Sequence, residues 1–261
     1  RMTGYFFGGG DQMRYVDVLQ SCPSSTCSDT PVLASVRERL AAGAVVAGSS
    51  AGTTIMQGAA MPVSGESWDA WAHGVKDDDA LFTPGAVVRD EGGFGFFDAG
   101  VLDSHVSERG RQGRLVRIAM YADQDYAYGV DETTALVVRR VGTATERMSV
   151  LGVGGVQILD LSQATFTTSQ IRGVRWSWLR SGDGYDPQTH DVIPRDRREA
   201  VPTARQTPDL SVTDIWSVRD AAAGRMSALG VDLARSGKST ARGITLENSP
   251  RFEVVLTDDG V

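Results

Sequence analysis

With 261 residues, 41% of them hydrophobic and 23% charged, the chain has the composition of a folded globular protein, one ordinary domain with an appendage or two small domains. No stretch approaches the roughly 18 consecutive apolar residues of a spanning helix, which excludes a helical membrane protein. The 33 acidic against 26 basic residues, a net charge of −7, argue against a nucleic-acid partner, because a phosphate backbone demands basic excess.

The first apolar run, Gly4 to Phe7, ends in Gly8-Gly9-Gly10-Asp11-Gln12, after which Tyr15 to Leu19 reads as helical. Cys22 and Cys27 flank a Ser/Pro-rich loop. They could close a small disulfide ring or stay as two thiols, and a disulfide would point to an oxidising, extracellular or periplasmic compartment rather than the cytoplasm. Zinc fits poorly, since only His73, His105 and His190 exist and none is at ligand spacing from the cysteines. Pro31 to Ala41 is a second helix, with Val32, Leu33, Val36 and Leu40 on one face. Ala44 to Ala47 is a buried strand, followed by Gly48-Ser49-Ser50-Ala51-Gly52 and a helix from Thr53.

Further on, Arg109 to Tyr121 is predicted helical from Leu115, Ile118 and Ala119, and Tyr126–Val130, Ala135–Arg139 and Ser149–Leu159 are predicted strands. Strands alternating with helices predict an α/β fold with a mostly parallel sheet covered on both faces. After about residue 165 the chain turns to loops bearing Trp176, Trp178, Pro187, Pro194, Pro202 and Pro208, with one helix from Asp214 to Leu229 closed by Gly230. The expected division is therefore a catalytic part, residues 1–165, and a C-terminal extension, residues 166–261. Ser236-Gly237-Lys238-Ser239 looks like the tail of a phosphate-binding loop, but Asp232 stands where its first glycine belongs.

Chemistry concentrates in Gly48-Ser49-Ser50-Ala51-Gly52, a G-x-S-x-G between strand and helix, the context in which a sharp turn exposes a serine nucleophile. A Cβ at either outer glycine would clash with the close backbone of such a turn. The N–H groups after Ser50 also open the helix, so its positive end would face an oxyanion. A base is needed, and His105, just past the apolar Val101-Leu102, is placed at the sheet edge where strand ends gather. His73 and His190 read as packing or solvated residues. The acid pair Asp131-Glu132, ending the strand from Tyr126, is the best-placed group to orient the imidazole. The run Asp77-Asp78-Asp79 reads as a solvated loop.

Gly8-Gly9-Gly10-Asp11-Gln12, the G-x-S-x-G, Asp103-Ser104-His105 with the following Ser107-Glu108-Arg109-Gly110-Arg111-Gln112-Gly113-Arg114-Leu115, and Gly129-Val130-Asp131-Glu132-Thr133-Thr134-Ala135-Leu136 occur in this order. Together they resemble the cyanophycinase and aspartyl dipeptidase family of serine peptidases, over roughly residues 4 to 160, and the arginine-bearing stretch is more like cyanophycinase. The resemblance implies a three-layer, mostly parallel α/β fold similar to class I glutamine amidotransferases and a triad of Ser50, His105 and Glu132. It also implies an oxyanion hole from the N–H groups of Gly10 and Ala51, and substrate contacts from Gln12, Asp103, Ser104, Arg111 and Arg114.

The implied reaction is hydrolysis of cyanophycin to β-Asp-Arg dipeptides through an acyl-enzyme, without metal or cofactor. An aspartyl dipeptidase and a non-catalytic binding protein on the same fold are the alternatives. The expected partners are cyanophycin or an aspartyl peptide and a second copy in a homodimer, with no nucleic acid and no membrane. The pattern departs from the family at Ser104, where a bulkier polar residue is usual, at Val106, usually Phe, and at Thr53, usually Ala. The family carries further strands and helices ahead of the glycine loop, so the chain reads as the downstream part of a longer protein.

Overall fold

The computed structural model describes residues 2–23, 26–78, 83–167, 169–195, 209–216 and 224–259. Chain order begins β1 (Gly4–Phe7), α1 (Gln12–Leu19), β2 (Gln20–Ser21), β3 (Ser28–Asp29), α2 (Pro31–Ala41), β4 (Val45–Gly48), α3 (Ala51–Thr54), β5 (Met61–Ser64), α4 (Ser67–His73), β6 (Val75–Asp77) and β7 (Ala86–Arg89). It continues β8 (Val101–Ser104), α5 (Gln112–Tyr121), β9 (Tyr126–Val130), β10 (Thr134–Arg139), β11 (Arg147–Gly152), β12 (Gly155–Asp160), β13 (Thr165–Phe166), β14 (Ile171–Arg172) and β15 (Arg175–Arg180). The last elements are β16 (Gly184–Asp186), β17 (Asp191–Ile193), β18 (Ser211–Thr213), α6 (Arg225–Ser236), β19 (Thr240–Ile244) and β20 (Glu253–Thr257). The α/β class holds, and no helix among the described residues is long and apolar enough to cross a membrane.

The central sheet runs β15-β12-β9-β8, with β8 and β9 parallel and the other two ladders antiparallel. The period of two along a strand decides what each face meets. Val101, Ala127 and Leu159 pack with Leu115, Ile118 and Ala119 of α5. Leu102, Tyr128 and Ile158 point the other way, onto Met148, Val150 and Tyr185 of the second sheet, β10-β11-β16-β17. A third core, of Phe7, Val16, Leu33, Val36, Ile55 and Phe94, gathers α1 and α2 around the parallel pair β1-β4.

The expectation of a mostly parallel sheet with helices on both faces is therefore corrected. Parallel ladders join β1-β4, β6-β7, β8-β9 and β18-β19, and every other ladder among the described strands is antiparallel. Part of the difference comes from the Gly152-Val153-Gly154 turn. It folds the predicted single strand Ser149–Leu159 into a hairpin, so β11 and β12 enter different sheets. Gly152 has φ 128, a value that disfavours any side chain, and a Cβ there would lie 2.2 Å from the Thr133 carbonyl oxygen.

The expected helix Asp214–Leu229 is corrected as well. Residues 217–223 fall outside the described residues, Ser211–Thr213 is strand, and α6 runs through Gly230 to Ser236, capped by Gly237 at φ 64. Gly230 is no stop signal: a Cβ there would meet the Trp176 ring at 2.6 Å, so the glycine lets the indole lie against the helix. Pro202, Pro208 and Asp79 also lie outside the described residues. Cys22 and Cys27 form a disulfide with Cα atoms 4.2 Å apart, and the Arg89 guanidinium donates to both sulfurs at 3.1 and 2.8 Å.

Candidate active site

Two parallel ladders bring the chemistry-bearing residues to one edge. In β1-β4, Phe7 pairs with Gly48, so the Gly8-Gly9-Gly10 loop and the Ser49-Ser50 turn leave side by side. In β8-β9, Ser104 pairs with Val130, so His105 and Asp131-Glu132 leave together. The two edges meet where Ser50 faces His105. The imidazole Nε2 lies 2.8 Å from Ser50 Oγ, and Nδ1 lies 2.8 Å from Glu132 Oε1. With Nδ1–H donating to the carboxylate, Nε2 is left as an acceptor for the serine hydroxyl, the tautomer a general base requires.

The turn that presents Ser50 is strained, at φ 54 and ψ −116, a conformation that costs on the order of 1–3 kcal/mol. Close approach of backbone holds it there. A Cβ on Gly48 would lie 2.0 Å from the Gly52 carbonyl oxygen, and one on Gly52 would lie 2.0 Å from that of Phe7. Thr53 Oγ1 donates to the Gly48 carbonyl at 2.9 Å and Thr54 Oγ1 to that of Ser50 at 3.2 Å, lacing the turn shut. The threonine at position 53 thus supplies a bond that alanine could not.

α3 is only the single turn Ala51–Thr54, not the longer helix read from the sequence, so its dipole is small. What the turn offers an anion is individual N–H groups. Among the described residues those of Gly10 and Ala51 have no acceptor. Gly9 brings the glycine loop against the serine, since a Cβ there would lie 3.2 Å from Ser50 Cβ.

His105 is itself strained, at φ 57, and its side chain is 19% exposed against 51% for Glu132. The segment after it turns rather than coils, with Gly110 at φ 56 pressed on the Trp216 carbonyl, so α5 begins at Gln112 and not at Arg109.

The remaining expected residues are placed unevenly. Asp103 and Arg114 are 0% and 3% exposed and committed to each other: Arg114 Nε and Nη2 donate to both carboxylate oxygens at 2.7–3.0 Å, and Nη1 donates to the Gly65 carbonyl at 2.7 Å. As placed, this pair is a buried brace under the histidine segment and not a surface open to a ligand. Gln12 donates to the Pro62 carbonyl at 2.6 Å, tying α1 to β5. Ser104 is buried, and its carbonyl accepts from Arg111 Nη1 at 2.9 Å. Arg111 retains free capacity. Its Nε is buried without a partner, and burial, outweighing the nearby Asp103, pulls the guanidinium down to about 10.

His73 sits in α4 edge-on to Trp68, and His190 stacks on Tyr126 with ring centroids 3.9 Å apart, at the far end of β9 from Glu132. No group of three or more His, Cys, Asp or Glu suited to a metal ion occurs among the described residues. The residue the sequence reading undervalued is Asp131. It is 4% exposed and accepts from Ser107 N–H, the Gln157 amide and the Trp178 indole. The adjacent glycines Gly154-Gly155 were its signal, because a Cβ on Gly155 would collide with the Trp178 ring nitrogen at 2.2 Å.

Fold and site together define a class: a mixed α/β chain with a serine, a histidine and a carboxylate hydrogen-bonded in line at neighbouring strand ends. Comparison with curated proteins narrows it. The chain is 30% identical over 203 residues to cyanophycinases of Trichormus variabilis and of a Nostoc species, a match spanning 74% of this chain and 59% of each relative. It is 29% identical over 202 residues to the cyanophycinase of Synechococcus elongatus, covering 55% of that protein. No family model matches. Over about three quarters of its length the chain is thus similar to cyanophycinases, and it spans less than two thirds of the length of these relatives.

Proposed function

We propose that the chain carries the catalytic centre of a serine-type peptidase that hydrolyses cyanophycin to β-Asp-Arg dipeptides. The observation that carries the reading is the line Ser50 Oγ–His105 Nε2 and His105 Nδ1–Glu132 Oε1, each step 2.8 Å. The turn at Ser50 acts as a nucleophile elbow. The hydroxyl attacks the aspartyl carbonyl as its proton passes to His105 Nε2, and Glu132 holds the imidazole and balances its charge. The resulting oxyanion accepts from the N–H groups of Ala51 and Gly10, each such donor being worth about 3 kcal/mol. His105 then returns the proton to the leaving amine. Water, deprotonated by the same imidazole, releases the acyl group from Ser50.

Arg111, its side chain 12% exposed against 3% for Arg114, is the group better suited to an aspartyl carboxylate, which its guanidinium fork can match. Asp103 and Arg114 hold the segment beneath it. Residues 166–261 as a C-terminal extension belong to this reading. The extension is not detached from the catalytic part, since β15 pairs with β12 along Gly155–Asp160. The Cys22–Cys27 disulfide supports an oxidising, extracellular or periplasmic compartment. The test is clearing of insoluble cyanophycin with mass detection of the products. Release of β-Asp-Arg supports the reading, and activity confined to small aspartyl dipeptides replaces it with the dipeptidase.

A further inference from the structure

Asp131 lies next to Glu132 but takes no part in the hydrogen-bonded line through His105. Its buried carboxylate instead gathers three donors from three separate stretches. The Ser107 backbone N–H donates to Oδ1 at 3.0 Å, the Gln157 side-chain amide of β12 to Oδ1 at 2.9 Å, and the Trp178 indole N–H of β15 to Oδ2 at 2.9 Å. Each donor is neutral, and among the described residues no cation pairs with this carboxylate. A buried carboxylate needs such donors to offset its lost hydration.

The network then runs outward. Ser107 Oγ receives from the same Gln157 amide at 2.8 Å and shares a hydrogen with Ser227 Oγ of α6 at 2.7 Å, and the Gln112 amide donates to Ser227 Oγ at 3.2 Å.

These bonds grip both partners of the catalytic line from behind. Ser107 is two residues after His105, whose φ of 57 persists only if the surrounding chain over-determines it. Fixing the Ser107 N–H to Asp131 determines that turn. Val106 between them is 0% exposed and seated where a Cβ on Gly129 of β9 would stand, at 2.8 Å. On the other side Asp131 is bonded directly to Glu132, and Thr133 beyond it is again left-handed at φ 56. A shift of Asp131 therefore moves Glu132 and releases His105 together.

We infer that Asp131 is a positioning residue for the proposed reaction: through Ser107 it holds His105 in register with Glu132, and through Trp178 and Ser227 it makes that register depend on the C-terminal part of the chain. The inference rests on the proposed role of Ser50. Its test separates the two, because a small fluorophosphonate reacts with an activated serine without needing the polymer site. Ser50 Oγ bonds to phosphorus, fluoride leaves, and the hydroxyl proton passes to His105.

The variants are Asp131→Asn and Trp178→Phe. The first sets an amide donor against one of the three N–H groups. The second removes the indole donor and replaces the bicyclic ring that stacks 6.4 Å from Trp176 by a smaller phenyl ring, so its folded fraction is measured with particular care. Inactivation is measured over a range of probe concentrations, with the folded fraction of each protein measured alongside. The expectation is a fall in kinact of about 10²-fold for Asp131→Asn and about tenfold for Trp178→Phe, per folded molecule and at unchanged KI. A merely structural role would lower the folded fraction or melting temperature and leave kinact of the folded molecules alone. Should Asp131→Asn not fold, Trp178→Phe decides. Wild-type kinact in a folded variant overturns the positioning role and leaves the serine reading standing, whereas a wild-type protein that the probe does not modify at Ser50 overturns both.

Discussion

Replacing Arg114 by methionine tests whether the Asp103–Arg114 pair is a brace or a binding surface. The substitution keeps most of the aliphatic stem but removes three short bonds to the carboxylate, of 3.0, 2.9 and 2.7 Å, and a fourth to the Gly65 carbonyl at 2.7 Å. Asp103, 0% exposed, is left with its neighbour Ser104 N–H at 2.8 Å and a long contact of 3.4 Å from Arg111. Stranding one partner of a buried pair costs about 3–5 kcal/mol. In a chain of this size that amounts to roughly a 10 °C fall in melting temperature.

The assay is reversible denaturation of the wild type, Arg114→Met, Asp103→Leu and the double variant. A brace predicts that the double variant recovers much of the loss, because neither member of the Asp103–Arg114 pair is then left buried without the other. If Arg114→Met costs under about 1 kcal/mol, the pair is solvated, and Arg114 returns to the substrate-contacting role expected from the resemblance.

Glu132→Gln leaves the side chain's shape but spoils the acceptor that fixes the His105 tautomer, and turnover should fall by up to about 10⁴-fold with little change in apparent affinity. A larger loss in Asp131→Asn would move the third role to Asp131. Asp78 is raised to about 6, first by burial and then by Asp77 and Glu91. Its folded form thus holds a proton that the unfolded chain releases near 3.8, so the protein loses stability as pH rises from about 4 to 6. Asp78→Asn should therefore gain more melting temperature over the wild type at pH 7 than at pH 4, and an equal gain at both would refute the shift. Intact mass after alkylation without reductant should show no modified cysteine in protein from its native source. Two alkylated thiols would remove the support for an oxidising compartment.

Much of this site was legible because its parts are local. A G-x-S-x-G between strand and helix, a histidine just past an apolar strand and an acid pair ending another each carry their own backbone signal, and parallel registers then align the strand ends. What escaped the sequence depends on distant contacts. Gly230 resembles a helix stop until the Trp176 ring is seen against it, and Gly152 and Gly154 hide a hairpin inside an apolar run. The resemblance puts Arg114 among the substrate contacts, and a sequence does not show that Asp103 is buried beside it. Asp131 reads only as half of an acid pair that could orient the imidazole, because its partner Trp178 lies 47 positions away.

The proposed reaction stands or falls with Ser50 as the nucleophile that cleaves cyanophycin. It is tested most directly by incubating the polymer with wild type and with Ser50→Ala, and following β-Asp-Arg by mass spectrometry. The wild type should release the dipeptide, and a folded Ser50→Ala protein should lose several orders of magnitude of that activity. Comparable release by both would contradict it.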